Sequence, residues 1–259
     1  MRKILLTSVG VAALAVSANA TDFTLSGTAK VKVMDDGNTS VDVSTAVGVS
    51  KTFDNGMVLS LSNNNMANAG ELTITSDAVA ITFGDFDQNE KAPGLNGNAA
   101  SSDISSDGVS HSSDAGGISL GATVAGVGIG AAMNNEGDTM FGGSFSSDMG
   151  GMAVTIGGDV YSDNTSSADQ TTMGVSANMG ALTIVAHSKQ VEATSGNTDT
   201  VSYSAAYTAG GLVIGFQGAD NDASSYSATY TIVPGMQFEI GQNDNGTDST
   251  SSAQLQMTF

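Results

Sequence analysis

The side chains able to do chemistry in this sequence are mostly carboxylates. There are 26 Asp and Glu against seven Lys and Arg. Five acids fall within or beside one long polar stretch, Asp87 to Ser105: Asp85, Asp87, Glu90, Asp103 and Asp107. Carboxylates at that density attract cations and repel anions. Against them stand Lys30 and Lys32, two residues apart in "TLSGTAKVKV", a spacing that puts both on one face of an extended strand. Oxygen ligands for a hard divalent ion such as Ca occur in "NDNGTD", Asn243 to Asp248. The 12-residue calcium-loop pattern ending in Glu is missing there, so any ion at the acidic loops is expected to be weakly held, and no other cofactor is expected.

Other chemistries find little support. His111 and His187 are the two histidines, far apart and without the spacing of paired ligands, so neither metal binding nor acid–base work is expected of them. The chain has no cysteine, which excludes disulfides, thiol catalysis and cysteine-ligated zinc. "GVGIG", Gly126 to Gly130, sits in an alternating strand with no following helix, so it is no nucleotide-binding turn. No G-x-S-x-G nucleophile elbow is expected.

The elements that must position these residues begin after a leader. Met1-Arg2-Lys3 is a basic start, Ile4 to Val16 a short apolar stretch, and Ala18-Asn19-Ala20 an A-x-A site. Residues 1–20 are therefore expected to be a secretory signal peptide cleaved after Ala20, leaving a mature chain of residues 21–259. Arg2 and Lys3 leave with it, so five lysines face 26 carboxylates and the formal charge is −21. Nucleic acid is an unsuitable partner for such a surface. Metal cations and cationic solutes are the natural counter-charges.

From Thr21 onward, short segments alternate apolar and polar residues. Examples are Leu25 to Val33, Val79-Ile81-Phe83, Leu212-Ile214-Phe216 and the terminal "AQLQMTF". This is the period of strands with one apolar face. The connections are of two kinds that take turns. Tight ones are Asp54-Asn55-Gly56, Ser76-Asp77, Asp114-Ala115-Gly116-Gly117, Asp148 to Gly151, Asn178-Met179-Gly180, Thr208 to Gly211 and Val233-Pro234-Gly235. Between them lie longer polar loops, of which Asp87 to Ser105 is the longest. Seven turns and eight loops separate about 16 strands, with 14–18 as the range for up-and-down barrels of this kind and Ala125-Gly126 the doubtful point. The class is all-β: a transmembrane antiparallel up-and-down β-barrel. A terminal apolar strand ending at Phe259 makes sense there, because closure onto the first strand satisfies both of its edges. Lys30, Lys32, Gln254, Gln256, His187 and Lys189 then have the parity of lumen-facing residues. Lys51 has the opposite parity beside Phe53 and should snorkel at the membrane interface.

The A-x-A leader, the start "TDFTLSGTAKVKV", the sixteen weak strands and the terminal phenylalanine together resemble the general diffusion porins of Gram-negative outer membranes, over the whole mature chain. The resemblance implies a passive diffusion channel for small hydrophilic solutes and ions, in the outer membrane, assembled as a homotrimer among outer-membrane lipid. It implies that the loop after the fifth strand folds into the lumen and that Asp85, Asp87, Glu90, Asp103 and Asp107 line a constriction opposite the basic wall residues Lys30 and Lys32. It also implies that Phe259 carries the signal read by the barrel-assembly machinery. A ring of carboxylates at a constriction favours cations. Two other readings remain open from sequence: a secreted or surface β-rich structural protein that binds cations, and an outer-membrane barrel enzyme.

Overall fold

The computed structural model of the chain describes residues 21–34, 39–63, 70–84, 91–94, 116–164, 168–194 and 196–258. These residues form sixteen strands: β1 (Thr21–Met34), β2 (Thr39–Thr52), β3 (Val58–Asn63), β4 (Glu71–Thr75), β5 (Val79–Gly84), β6 (Gly117–Val124), β7 (Val127–Asn134) and β8 (Thr139–Asp148) make the first half. The second half is β9 (Ala153–Ser162), β10 (Asp169–Met179), β11 (Leu182–Ala193), β12 (Gly196–Ala209), β13 (Leu212–Ala219), β14 (Ser224–Val233), β15 (Met236–Asp244) and β16 (Ser249–Thr258). Each strand pairs antiparallel with its sequence neighbours, and β1 closes the ring on β16. The closing register runs from Thr28 opposite Thr258 to Met34 opposite Ser252. Thus the apolar terminal strand is paired on both sides, with β15 and with β1.

The period-2 pattern decides which way each side chain points. Phe141, Phe145, Ile156 and Val160 are exposed on one face of β8 and β9, whereas Met140, Gly142, Asp159 and Tyr161, at the intervening positions, are buried. The exposed face is apolar around the ring, as a surface bathed in hydrocarbon requires. The other face is mostly small or polar and looks inward.

Glycine makes the short turns possible. Gly56, Gly126, Gly150, Gly180, Gly210 and Gly235 all have positive φ, the conformation that two-residue hairpins need and that a side chain resists. One further turn lies at Ala125-Gly126. Gly117 opens β6, Asp114 and Ala115 of the expected turn lie outside the described residues, and the chain reverses at Ala125-Gly126. Ala125 adopts φ 51° there, so one strained alanine does what asparagine or glycine usually does. The count of sixteen stands, but with the stretch from Ile118 to Met133 split into β6 and β7, and with β5 paired directly to β6. The letters G-I-S-L-G, Gly117 to Gly121, do match a G-x-S-x-G pattern, yet they lie within β6, not on a strand-to-helix turn, so Ser119 is no nucleophile elbow.

At the rim carrying the longer loops, Asp138 is buried and clips two connections together. It accepts Asn134 Nδ2–H at 2.8 Å and the Asn164 backbone N–H at 2.8 Å. Asn164 Nδ2 in turn donates to the Glu136 carbonyl at 3.0 Å.

Candidate functional site

The inward face carries the site. Its most distinctive feature is a short piece of chain, Lys91–Gly94, from the connection between β5 and β6, seated on the inner wall formed by β7 to β10. This described part of the connection after the fifth strand therefore lies inside the barrel. Asp159 of β9 holds it. One carboxylate oxygen accepts the Lys91 N–H at 2.7 Å; the other accepts the same N–H at 2.9 Å and the Ala92 N–H at 2.5 Å. Hydrogen bonds onto a carboxylate are among the stronger ones a protein makes.

A row of missing side chains lets the segment come this close. Gly128, Ser144, Gly157 and Gly174 are cross-strand neighbours on β7, β8, β9 and β10. A Cβ on Gly157 would overlap the Lys91 carbonyl oxygen, and one on Gly174 would lie 3.1 Å from Pro93 Cδ. The next row toward the long-loop rim joins Gly142, Asp159, Thr172 and Lys189. A Cβ on Gly142 would overlap the Asp159 carboxylate, so glycine there keeps the latch in place. One row further out, Ala132, Met140 and Tyr161 make a small buried apolar cluster on the lumen side, and Tyr161 hydrogen-bonds Asp138.

Across the barrel the wall is built differently. From β9 to β1 seven strands intervene by either path round the ring, so the two lie on opposite sides. Lys30 pairs with Gln256, which pairs with Gln237; Lys32 pairs with Gln254, which pairs with Glu239. Gln254 Nε2 donates to Glu239 Oε2 at 2.9 Å, and Glu239 is fully buried. The two lysines thus stand on adjacent inward rungs that also carry three glutamines and a carboxylate.

The other residues singled out from sequence are distributed as follows. His187 lies between Gly174 and Ser202 across strands, buried in the row under the inserted segment, and Lys189 lies between Thr172 and Thr200 in the adjoining row. Lys51 points outward, its Nζ 5.5 Å from the Phe53 ring centroid. Asp85, Asp87, Glu90, Asp103, Asp107, His111, Phe259, Ala18 and Ala20 lie outside the described residues. In the Asn243–Asp248 loop, side-chain oxygens cap the turn: Asp244 Oδ1 accepts the Gly246 N–H, and Asn245 Oδ1 accepts those of Thr247 and Asp248. No group of three or more potential metal ligands occurs among the described residues.

Sequence reasoning missed Asp159 and the glycine seat. The signal was present as paired glycines on adjacent strands, Gly142-Gly143 and Gly157-Gly158, the second followed at once by an acid at an inward position. A doubled glycine empties both faces of a strand, which marks a close approach of other chain rather than ordinary wall.

No protein-family profile and no curated protein sequence matches this chain. Solved structures do match it in shape. An engineered variant of the porin of Rhodopseudomonas blastica superposes with a TM-score of 0.68 at 15% identity, covering 92% of this chain and 100% of that one. A second variant of that porin gives 0.67 at 14% identity with the same coverage. A structure described under "Asymmetric conductivity of engineered proteins" gives 0.68 at 15% identity, again over 92% and 100%. The fold is that of a sixteen-stranded porin barrel.

Proposed function

We propose that the chain is a passive diffusion channel of the bacterial outer membrane, a pore for small hydrophilic solutes and ions that prefers cations. One observation carries this reading: a piece of chain enters a closed sixteen-stranded barrel and is latched to β9, on the side opposite the Lys30 and Lys32 rungs. A segment held inside a barrel narrows it, and charge placed at a narrowing sorts ions. Asp85, Asp87, Glu90, Asp103 and Asp107 flank that segment in sequence and would supply the carboxylates of the narrowing. Lys30 and Lys32 would supply the opposing field, with Gln254, Gln256, His187 and Lys189 completing the wetted or loop-covered wall. The apolar outward band supports a place in lipid, and the porins among the structural neighbours support porin activity by analogy of fold alone.

The remaining parts of the proposal follow from sequence. Residues 1–20 direct export and are removed after Ala20. Phe259 presents the terminal strand to the assembly machinery. The barrel works as a homotrimer, and its acidic loops hold divalent cations such as Ca only loosely. Catalysis has no support: Ser202 and His187 are cross-strand neighbours but both are buried, and Asp159 is committed to the backbone of Lys91 and Ala92. The test is single-channel recording in planar bilayers together with swelling of proteoliposomes in sugars of increasing size. Discrete ohmic steps and a size cut-off are expected; a heat-modifiable barrel that neither conducts nor passes sugars would overturn the channel reading.

A further inference from the structure

We infer that Asp159 is the positioning residue that fixes the inserted segment, and with it the bore of the channel. The inference deepens the channel reading and rests on it for its conductance arm only. Asp159 receives three hydrogen-bond contacts from two consecutive backbone N–H groups of the inserted segment. Backbone donors make this latch indifferent to the side chains at positions 91 and 92, so the carboxylate grips the path of the chain itself. The seat around it is cut to fit on three sides. Gly142 leaves room for the carboxylate, Gly157 for the Lys91 carbonyl, and Gly174 for Pro93. The Lys91 stem runs over Gly128, with its Cδ 3.6 Å from where a Cβ would be. Lys91 and His187 also lie close enough to act electrostatically on Asp159. By contrast, Gly143, next to Gly142 but facing outward, has no atom nearer than 3.9 Å to an added Cβ. Gly143 thus marks a position on the neighbouring outward face where a side chain meets nothing of the seat.

The Ala92 side chain is buried in the seated segment, and the chain contains no cysteine. Ala92→Cys therefore gives a single thiol that reports seating. In refolded, heat-modifiable barrels, adding Asp159→Asn to Ala92→Cys should speed labelling by a soluble maleimide about tenfold, the factor expected when roughly one charge-assisted hydrogen bond is lost. Gly157→Ala in the same background should do so by a second route that leaves the carboxylate intact. Gly143→Ala should leave the rate unchanged. In bilayers, Asp159→Asn should also alter the single-channel conductance of the parent. Equal labelling rates in folded parent and Asp159→Asn barrels would overturn the latch, whatever the conductance. A parent that labels as expected but does not conduct would instead sink the channel reading and leave the latch standing.

Discussion

The β8–β9 wall and the β15–β16–β1 wall lie on opposite sides of one barrel and are made by opposite means. Under the inserted segment the wall is stripped down: Gly142, Gly157 and Gly174 carry nothing, and a single carboxylate, Asp159, takes up backbone N–H groups of other chain. Across the lumen the wall keeps long polar side chains, with Lys30, Lys32, Gln254, Gln256 and Glu239 on neighbouring rungs. One side gives up side chains to receive chain, and the other keeps them for the lumen. The difference teaches that one wall is shaped to seat a backbone and the other to present polar and charged side chains to the lumen.

The largest effect should come from filling the seat. Gly157→Leu places a branched side chain where the Lys91 carbonyl lies, and overpacking of this kind typically costs about 1–3 kcal/mol. Channel recordings should show altered conductance and rapid open-channel noise, while Gly143→Leu, pointing outward from the next strand, should behave like the parent. Identical recordings from the two variants would erase the contrast between inner and outer faces.

Charge changes on the opposite wall come next. Lys30→Gln with Lys32→Gln should raise cation preference without changing the seating of Ala92, read as a larger reversal potential in a salt gradient. The screening length is roughly 8 Å at physiological salt and about 3 Å at 1 M, so the effect should shrink at molar salt. Glu239→Gln should act in the opposite sense and more weakly, since its carboxylate is already engaged by Gln254. The smallest change in conduction is expected from Asp138→Ala at the rim. It strands Asn134 Nδ2 and the Asn164 N–H, a loss of about 1–3 kcal/mol in denaturant unfolding, with reversal potential unchanged.

Much of this was legible in the sequence, and for a physical reason. A closed barrel repeats one local rule, apolar out and polar in, so the alternation in "AQLQMTF" and the rhythm of turns and loops carry the architecture without any long-range information. The rule failed where the barrel meets its own inserted chain. Met140 and Tyr161 face inward beside the outward Phe141 and Val160, so apolar residues stand side by side and the alternation dissolves. Ala125-Gly126 stays ambiguous in sequence, turn or mid-strand, because alanine resists the positive φ it adopts there. Asp159 looked like one acid among 26, and the doubled glycine just before it was its one local mark. Its role appears only when residues 91 and 159 are brought together in space.

Ion selectivity tests the account most directly. The reversal potential of the purified protein in a planar bilayer, under a tenfold KCl gradient at low ionic strength, should have the sign of a cation-preferring pore and should fall toward zero as both sides are brought to molar salt. A reversal potential of anion-preferring sign at low salt would contradict it.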